Sequence, residues 1–169
     1  MRTRRRFVWA ILTTVVVVGA AGCGTSSDVK SIMKAINDSN GKRLANFYAM
    51  FQMRSNFTGP ADQQALEKFI AGMNPAELEA MGVKADEVGK LFVSERDGKP
   101  FFVRYGVKKP PLLGGHQAVI FETEGKGGSI GVFMTGPKVV EVPVGEVESY
   151  RNGDHDELPR TESGPPPKA

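Results

Sequence analysis

The chain reads as an α+β domain, helices first and an antiparallel sheet of four to five strands afterwards. Three observations lead there. Apolar residues recur three and four apart through residues 28–91, the spacing of amphipathic helices. Between Leu91 and Val142 the period shortens and β-branched and aromatic residues cluster, as in strands. Asp97-Gly98 stands between two such runs, which is a strong hairpin signal. A helical half followed by a strand half gives segregated layers, not a βαβ alternation.

Asp28 can cap a first amphipathic helix whose apolar face is Val29, Ile32, Met33, Ile36, Leu44, Phe47, Tyr48 and Phe51. Asn37-Asp38-Ser39-Asn40-Gly41 interrupts it, so the pattern fits one kinked helix or two shorter ones. Gly59-Pro60 ends this region. A short helix over 62–71 turns Leu66, Phe69 and Ile70 inward. Asn74-Pro75 joins an N-cap to proline at the first helical position and opens a turn or two to Met81. Residues 86–91 can add one more. The runs 91–95 and 100–105 then flank Arg96-Asp97-Gly98-Lys99, where a type I′ turn needs positive φ at both Asp97 and Gly98. Residues 106–115 form a Pro/Gly-rich connector. Strands follow over 117–123, 129–134 and 138–142, separated by Gly125-Lys126-Gly127-Gly128 and Thr135-Gly136-Pro137. A closing helical turn fits 145–150. Polar residues and Gly164-Pro165-Pro166-Pro167 mark 152–169 as a disordered tail. One domain, residues 28–151, is the resulting division.

The 169 residues are 40% hydrophobic and 24% charged, an ordinary globular balance. Of the 22 Lys and Arg, four (Arg2, Arg4, Arg5, Arg6) precede the first apolar run, and residues 1–22 hold no acidic side chain. Beyond residue 22 the chain therefore has 18 basic against 19 acidic groups, a net charge of −1. A nucleic-acid partner needs clustered positive charge, so none is expected.

The basic start, the apolar run from Phe7 to Ala21 and the small residues after it have the form of a signal peptide over 1–22. The run is too short for a membrane-spanning helix, which needs about 20 apolar residues. Cys23, the sole cysteine, follows Ala20-Ala21-Gly22 directly and has no disulfide partner. This segment resembles a bacterial lipobox. The resemblance implies cleavage before Cys23, attachment of a diacylglycerol and palmitate-class acyl chain there, and stable anchoring. Residues 24–27 make a short tether. Gly24 in place of Asp implies an outer-membrane site facing the periplasm.

Other chemistry-bearing patterns are thin. Gly127-Gly128-Ser129-Ile130-Gly131 fits G-x-S-x-G, but a nucleophile elbow needs a strand before the serine and a helix after it. A glycine turn precedes Ser129 and a β-rich run follows, so a hairpin turn is expected. Asp154-His155-Asp156-Glu157 reads as a solvated acidic patch, and His116 is a lone histidine without ligands at metal spacing. Lys108-Lys109-Pro110-Pro111 is a basic, Pro-rich loop. No catalytic, cofactor or metal residues are assigned.

Two family resemblances add to this. Through Leu44-Ala45-Asn46-Phe47-Tyr48 and Phe92-Val93-Ser94-Glu95-Arg96-Asp97-Gly98-Lys99-Pro100-Phe101 the chain resembles a group of small uncharacterised bacterial lipoproteins. Residues 44–105 faintly resemble the soluble domain of type II secretion pseudopilins, with Asp97, Gly98, Pro100 and Phe101 matching the hairpin. That likeness implies a pilin-like fold and no activity.

The expected function is a lipid-anchored periplasmic envelope protein, non-enzymatic, with a structural or assembly role. Its partners would be the membrane, through the lipid, and a protein or second copy meeting the helix near residues 29–36. The alternative is a ligand- or peptide-binding module using the sheet surface or the 106–115 loop, where Phe102, Arg104 and Tyr105 fall together. A hydrolase ranks behind both.

Overall fold

The computed structural model describes residues 37–108, 116–136 and 138–156. The leader over 1–22, Cys23, the tether, the 29–36 stripe, residues 109–115 and residues 157–169 lie outside the described residues.

Ser39 is extended and its Oγ accepts from the Lys42 N–H, which starts helix α1, Asn40–Arg54. Leu44, Phe47 and Tyr48 are fully buried, with Phe51 at the core margin. Gly41 is pressed against Phe133, where a Cβ would fall 2.3 Å from the ring. The helix ends before Gly59-Pro60, because Asn56 and Phe57 turn left-handed (φ 49° and 58°). The Phe57 N–H then donates to the Gln52 carbonyl at 2.8 Å. Helix α2, Gln63–Ala71, is capped by Asp62, whose Oδ1 accepts from the Ala65 N–H at 2.8 Å. Helix α3, Pro75–Ala80, starts with the expected Asn74-Pro75 pair, and Glu77 closes a capping box on Asn74. A 3₁₀ segment, Ala85–Phe92, buries Val88, Leu91 and Phe92.

The strands β1 (Phe102–Val103), β2 (Ala118–Phe121), β3 (Ser129–Met134) and β4 (Val139–Pro143) form one antiparallel sheet in the order β1-β2-β3-β4. The expected run 91–95 is not a strand. Leu91 and Phe92 are drawn into the 3₁₀ segment by their burial, and Val93 makes only a single bridge with Pro100. The partner run also shortens, since Gly106 turns away at φ 69° and its N–H donates to the Pro60 carbonyl.

Both faces of the sheet are covered. Ala118 pairs with Met134 but Ile120 with Phe133, so Val119 is an extra residue, a β-bulge. Val119, Ile120 and Phe133 join a core with α1, α2, α3 and the 3₁₀ segment. Ala118, Phe121, Ile130, Val132 and Met134 face the other way and meet Val142 and Val147. Val147 opens helix α4, Val147–Asn152, after a short 3₁₀ turn, Val144–Glu146. Among the described residues no helix is long and apolar enough to cross a membrane.

The tail does not begin at 152. Gly153, at φ 89°, caps α4 in the left-handed region and reverses the chain, which returns the Asp156 carboxylate to the sheet.

Candidate functional site

Polar chemistry gathers at two places. The first is the turn predicted at Asp97 and Gly98. Gly98 has φ 69°, but Asp97 is not in the positive-φ region, so the type I′ expectation is corrected to a four-residue turn over 95–98. The Ser94 N–H donates to the Lys99 carbonyl and the Gly98 N–H to the Ser94 carbonyl, each at 2.9 Å. Ser94 Oγ accepts from the N–H groups of Arg96 and Asp97, which winds the turn right-handed before Gly98 unwinds it. Asp97 is therefore free to cap: its carboxylate accepts from the N–H groups of Lys99, Glu124 and Gly125 at 2.9–3.0 Å. Partial burial pushes its pKa up, but these backbone donors outweigh that and hold it below the usual carboxylate value.

Within the turn, Arg96 reaches β3, β4 and the residue that follows β2. Nη1 meets Glu141 of β4 at 2.7 Å and Nη2 the Ser129 carbonyl of β3 at 2.9 Å. Nε lies 3.2 Å from Oε2 of Glu122, just past β2, close enough for charge pairing though not aligned as a hydrogen bond. Glu122, its side chain only 3% exposed, also accepts from the Gly131 N–H at 2.7 Å and from Ser94 Oγ at 3.1 Å. Hydrogen bonds from Ser129 and Arg96, then the Arg96 charge, lower the Glu141 pKa.

Ser129 opens β3, with strand and no helix after it, so the elbow geometry is not formed. Its Oγ lies 2.8 Å from Glu141 Oε2. His155 goes to a different serine, with Nε2 3.0 Å from Ser149 Oγ and the ring stacked on Tyr150 at 4.0 Å. The Ser149 hydroxyl donates to the Glu146 carbonyl at 2.7 Å, so it accepts from His155. An activated nucleophile needs the reverse polarity. His116 Nδ1 donates to the Thr135 carbonyl at 2.8 Å. Among the described residues no group of three or more His, Cys, Asp or Glu could hold a metal ion.

The second place is an open groove of about 590 Å³ at the β1 edge. Phe102, Arg104, Tyr105, Lys108, Arg151 and Asp156 line it. Tyr48 fixes its floor from below: its hydroxyl donates to the Arg104 carbonyl at 2.8 Å and accepts from the Val107 N–H at 3.4 Å. Burial pushes the Tyr48 pKa up to about 12, against a lowering from that Val107 bond and the Arg104 charge. Tyr105 also rises to about 12, through burial and then the Glu67 and Asp62 charges. Arg104 and Asp156 meet through Nη1–Oδ1 at 3.0 Å and Nη2–Oδ2 at 3.3 Å. With its side chain 1% exposed, Asp156 is a buried partner and not part of a solvated acidic patch. Arg151 lies over the Phe102 ring at 4.5 Å.

No protein-family model matches the chain, and neither a curated protein nor a solved structure is significantly similar to it.

The structure brings Phe102, Arg104 and Tyr105, which the sequence placed near the 106–115 loop, to the lining of one groove. Asp156 and Arg151 were missed there, and so was the Arg96–Glu122 pair. A signal existed for the pair. Glu122 directly follows the apolar run Ala118-Val119-Ile120-Phe121, where a charge needs a buried partner.

Proposed function

We propose that this chain is a lipid-anchored envelope protein with a non-enzymatic, structural or assembly role, held by acylated Cys23 on the periplasmic side of the outer membrane. The observation that carries the reading is the position of the sole cysteine, directly behind a basic and apolar leader. The chemistry of the domain is in keeping with it. Ser129, Asp97, Arg96 and Glu122 are engaged in holding turns and strands together. Fourteen residue steps separate Cys23 from Asn37, at most about 46–50 Å of extended chain. The 94–98 turn lies at the same end of the domain as the start of α1, because Glu95 accepts from the Asn40 N–H at 3.0 and 3.1 Å. That end is the membrane-facing one in this reading.

The pilin-like version adds an assembly surface. A buried-faced α1 on an antiparallel sheet supports it, and the apolar stripe Val29, Ile32, Met33 and Ile36 would meet a second copy or a partner. The anchor is tested by Cys23→Ser. The variant should accumulate as unprocessed precursor and leave the detergent phase; cleavage at the same site with unchanged membrane fractionation refutes the anchor. Ile32→Asp should abolish self-association while hardly changing the melting temperature.

One observation favours a second reading, a peptide-binding module. The groove combines cationic and aromatic side chains, and Phe102 is 43% exposed although it is large and apolar.

A further inference from the structure

We infer that the groove is a recognition site for acidic peptide segments, and that the chain's own residues 153–156 occupy it as a displaceable clasp. The inference deepens the peptide-binding reading and does not depend on the lipid anchor.

The charge pattern of the groove sets the ligand class. Among the described residues, three cations, Arg104, Lys108 and Arg151, line it beside a single carboxylate, Asp156. Glu148 offsets Arg151 only from outside the lining, at 2.7 Å from Nη1. The Arg151 Nε is out of solvent and has no hydrogen-bond acceptor. Aromatic walls accompany the charge: Arg151 stacks on exposed Phe102, and Tyr105 is half-buried nearby. A peptide that offers a carboxylate with an apolar neighbour matches this set.

Asp156 indicates how such a ligand sits. The forked contact of its two oxygens with Nη1 and Nη2 of Arg104 is the geometry by which arginine reads carboxylates. Oδ1 additionally accepts from the Ala118 N–H at 3.0 Å. Arg104 is pre-positioned by the Ala118 carbonyl at 2.6 Å and the Tyr150 carbonyl at 3.5 Å, and its backbone by Tyr48. So the receptor half of the contact is built on the sheet and on α4. The ligand half comes from a short segment beyond the last helix, hinged at Gly153. In that segment Asp154 and His155 are exposed. Besides the carboxylate, the clasp is held by the His155–Tyr150 stack, the His155–Ser149 contact and the backbone turn over 149–156. A carboxylate arriving from another chain can make the same fork on Arg104 only when Asp156 leaves.

The test uses the full-length chain in detergent micelles and a labelled, N-acetylated synthetic hexapeptide with the sequence of residues 153–158. Asp156→Asn should bind this peptide at least tenfold more tightly than the wild type, and Arg104→Gln added to it should abolish binding. A peptide carrying Asn at the Asp156 position should not bind. Equal affinities in a folded Asp156→Asn protein overturn the clasp. If that variant does not fold, the wild type decides alone. On titration with millimolar peptide the Ala118 amide and Arg104 side-chain resonances should shift together, and their staying fixed overturns the inference. Shifts at Phe102 and Arg151 without any at Arg104 or Ala118 leave the peptide-binding reading standing and refute the clasp. No shift anywhere refutes both.

Discussion

Gly41 and Gly59 show how little room single residues have where α1 meets the rest of the domain. A Cβ on Gly59 would fall 2.1 Å from the Tyr48 hydroxyl oxygen, and one on Gly41 2.3 Å from Phe133. Neither neighbour can swing aside, because the Tyr48 hydroxyl is hydrogen-bonded on both sides and Phe133 is locked in the core. Gly41→Ala and Gly59→Ala should each cost about 1–3 kcal/mol through overpacking. Gly89 has nothing within 4 Å of its missing Cβ, so Gly89→Ala should be neutral or raise stability by about 0.4–1 kcal/mol. Denaturant melts of the three variants check the contrast. Tyr48 also sets an alkaline limit. Its pKa is raised to about 12 in the folded state, against about 10 unfolded. Its contribution is therefore complete below pH 10 and is lost as pH rises toward 12, by roughly 2–3 kcal/mol. Tyr48→Phe should start less stable, with its hydrogen bonds missing, and should decline less steeply over that range.

At the scale of elements, the 94–99 turn and the 124–128 turn are joined through one side chain. Asp97 caps both, with N–H donors from Lys99, Glu124 and Gly125. Its lowered pKa fixes the sign of the acid response. The stabilisation is present above the unfolded pKa near 4 and is lost as pH falls through the lower folded value. Asp97→Ala should cost about 1–3 kcal/mol at neutral pH and should flatten the acid limb of a stability-versus-pH curve. Gly98 differs from Gly41 in kind. The space around it is open, so only its φ of 69° is at issue. Gly98→Val should cost on the order of 1–2 kcal/mol from left-handed strain, and an unchanged melting temperature would contradict the turn geometry.

Across the whole molecule, Arg96 ties the turn to β3, β4 and the residue that follows β2 at one end, while Arg104 and Asp156 close the other. Glu122 is the most buried carboxylate of the Arg96 cluster. Arg96→Met should therefore lower stability by about 3 kcal/mol, the low end for breaking a buried pair, since Arg96 itself is partly exposed. The core sets the larger scale. Phe47 is fully buried under the sheet, and Phe47→Ala should cost about 3–5 kcal/mol by chemical denaturation. Loss of cooperativity in either variant, read as a fall in m-value, would show that the two ends do not unfold as one unit.

Local chemistry made several elements legible from residue order alone. Asn74 carries a side-chain oxygen that satisfies a free helix N–H group, and the proline behind it marks the helix start. The apolar spacing from Leu44 to Ile70 identified the inward faces, and glycine-rich turns divided the strands. Each of these depends on neighbours within about four positions. The tertiary structure decided whatever depends on partners brought from afar. The strand expected over 91–95 gave way to a 3₁₀ segment because Leu91 and Phe92 are buried against helices. The Asp97 carboxylate caps a turn some 28 positions away, a partner that the residues around it do not announce. The expected tail gave up residues 152–156 because Arg104, 52 positions earlier, holds Asp156. A buried charge is retained where its counter-charge lies in space, and the distance along the chain does not determine that.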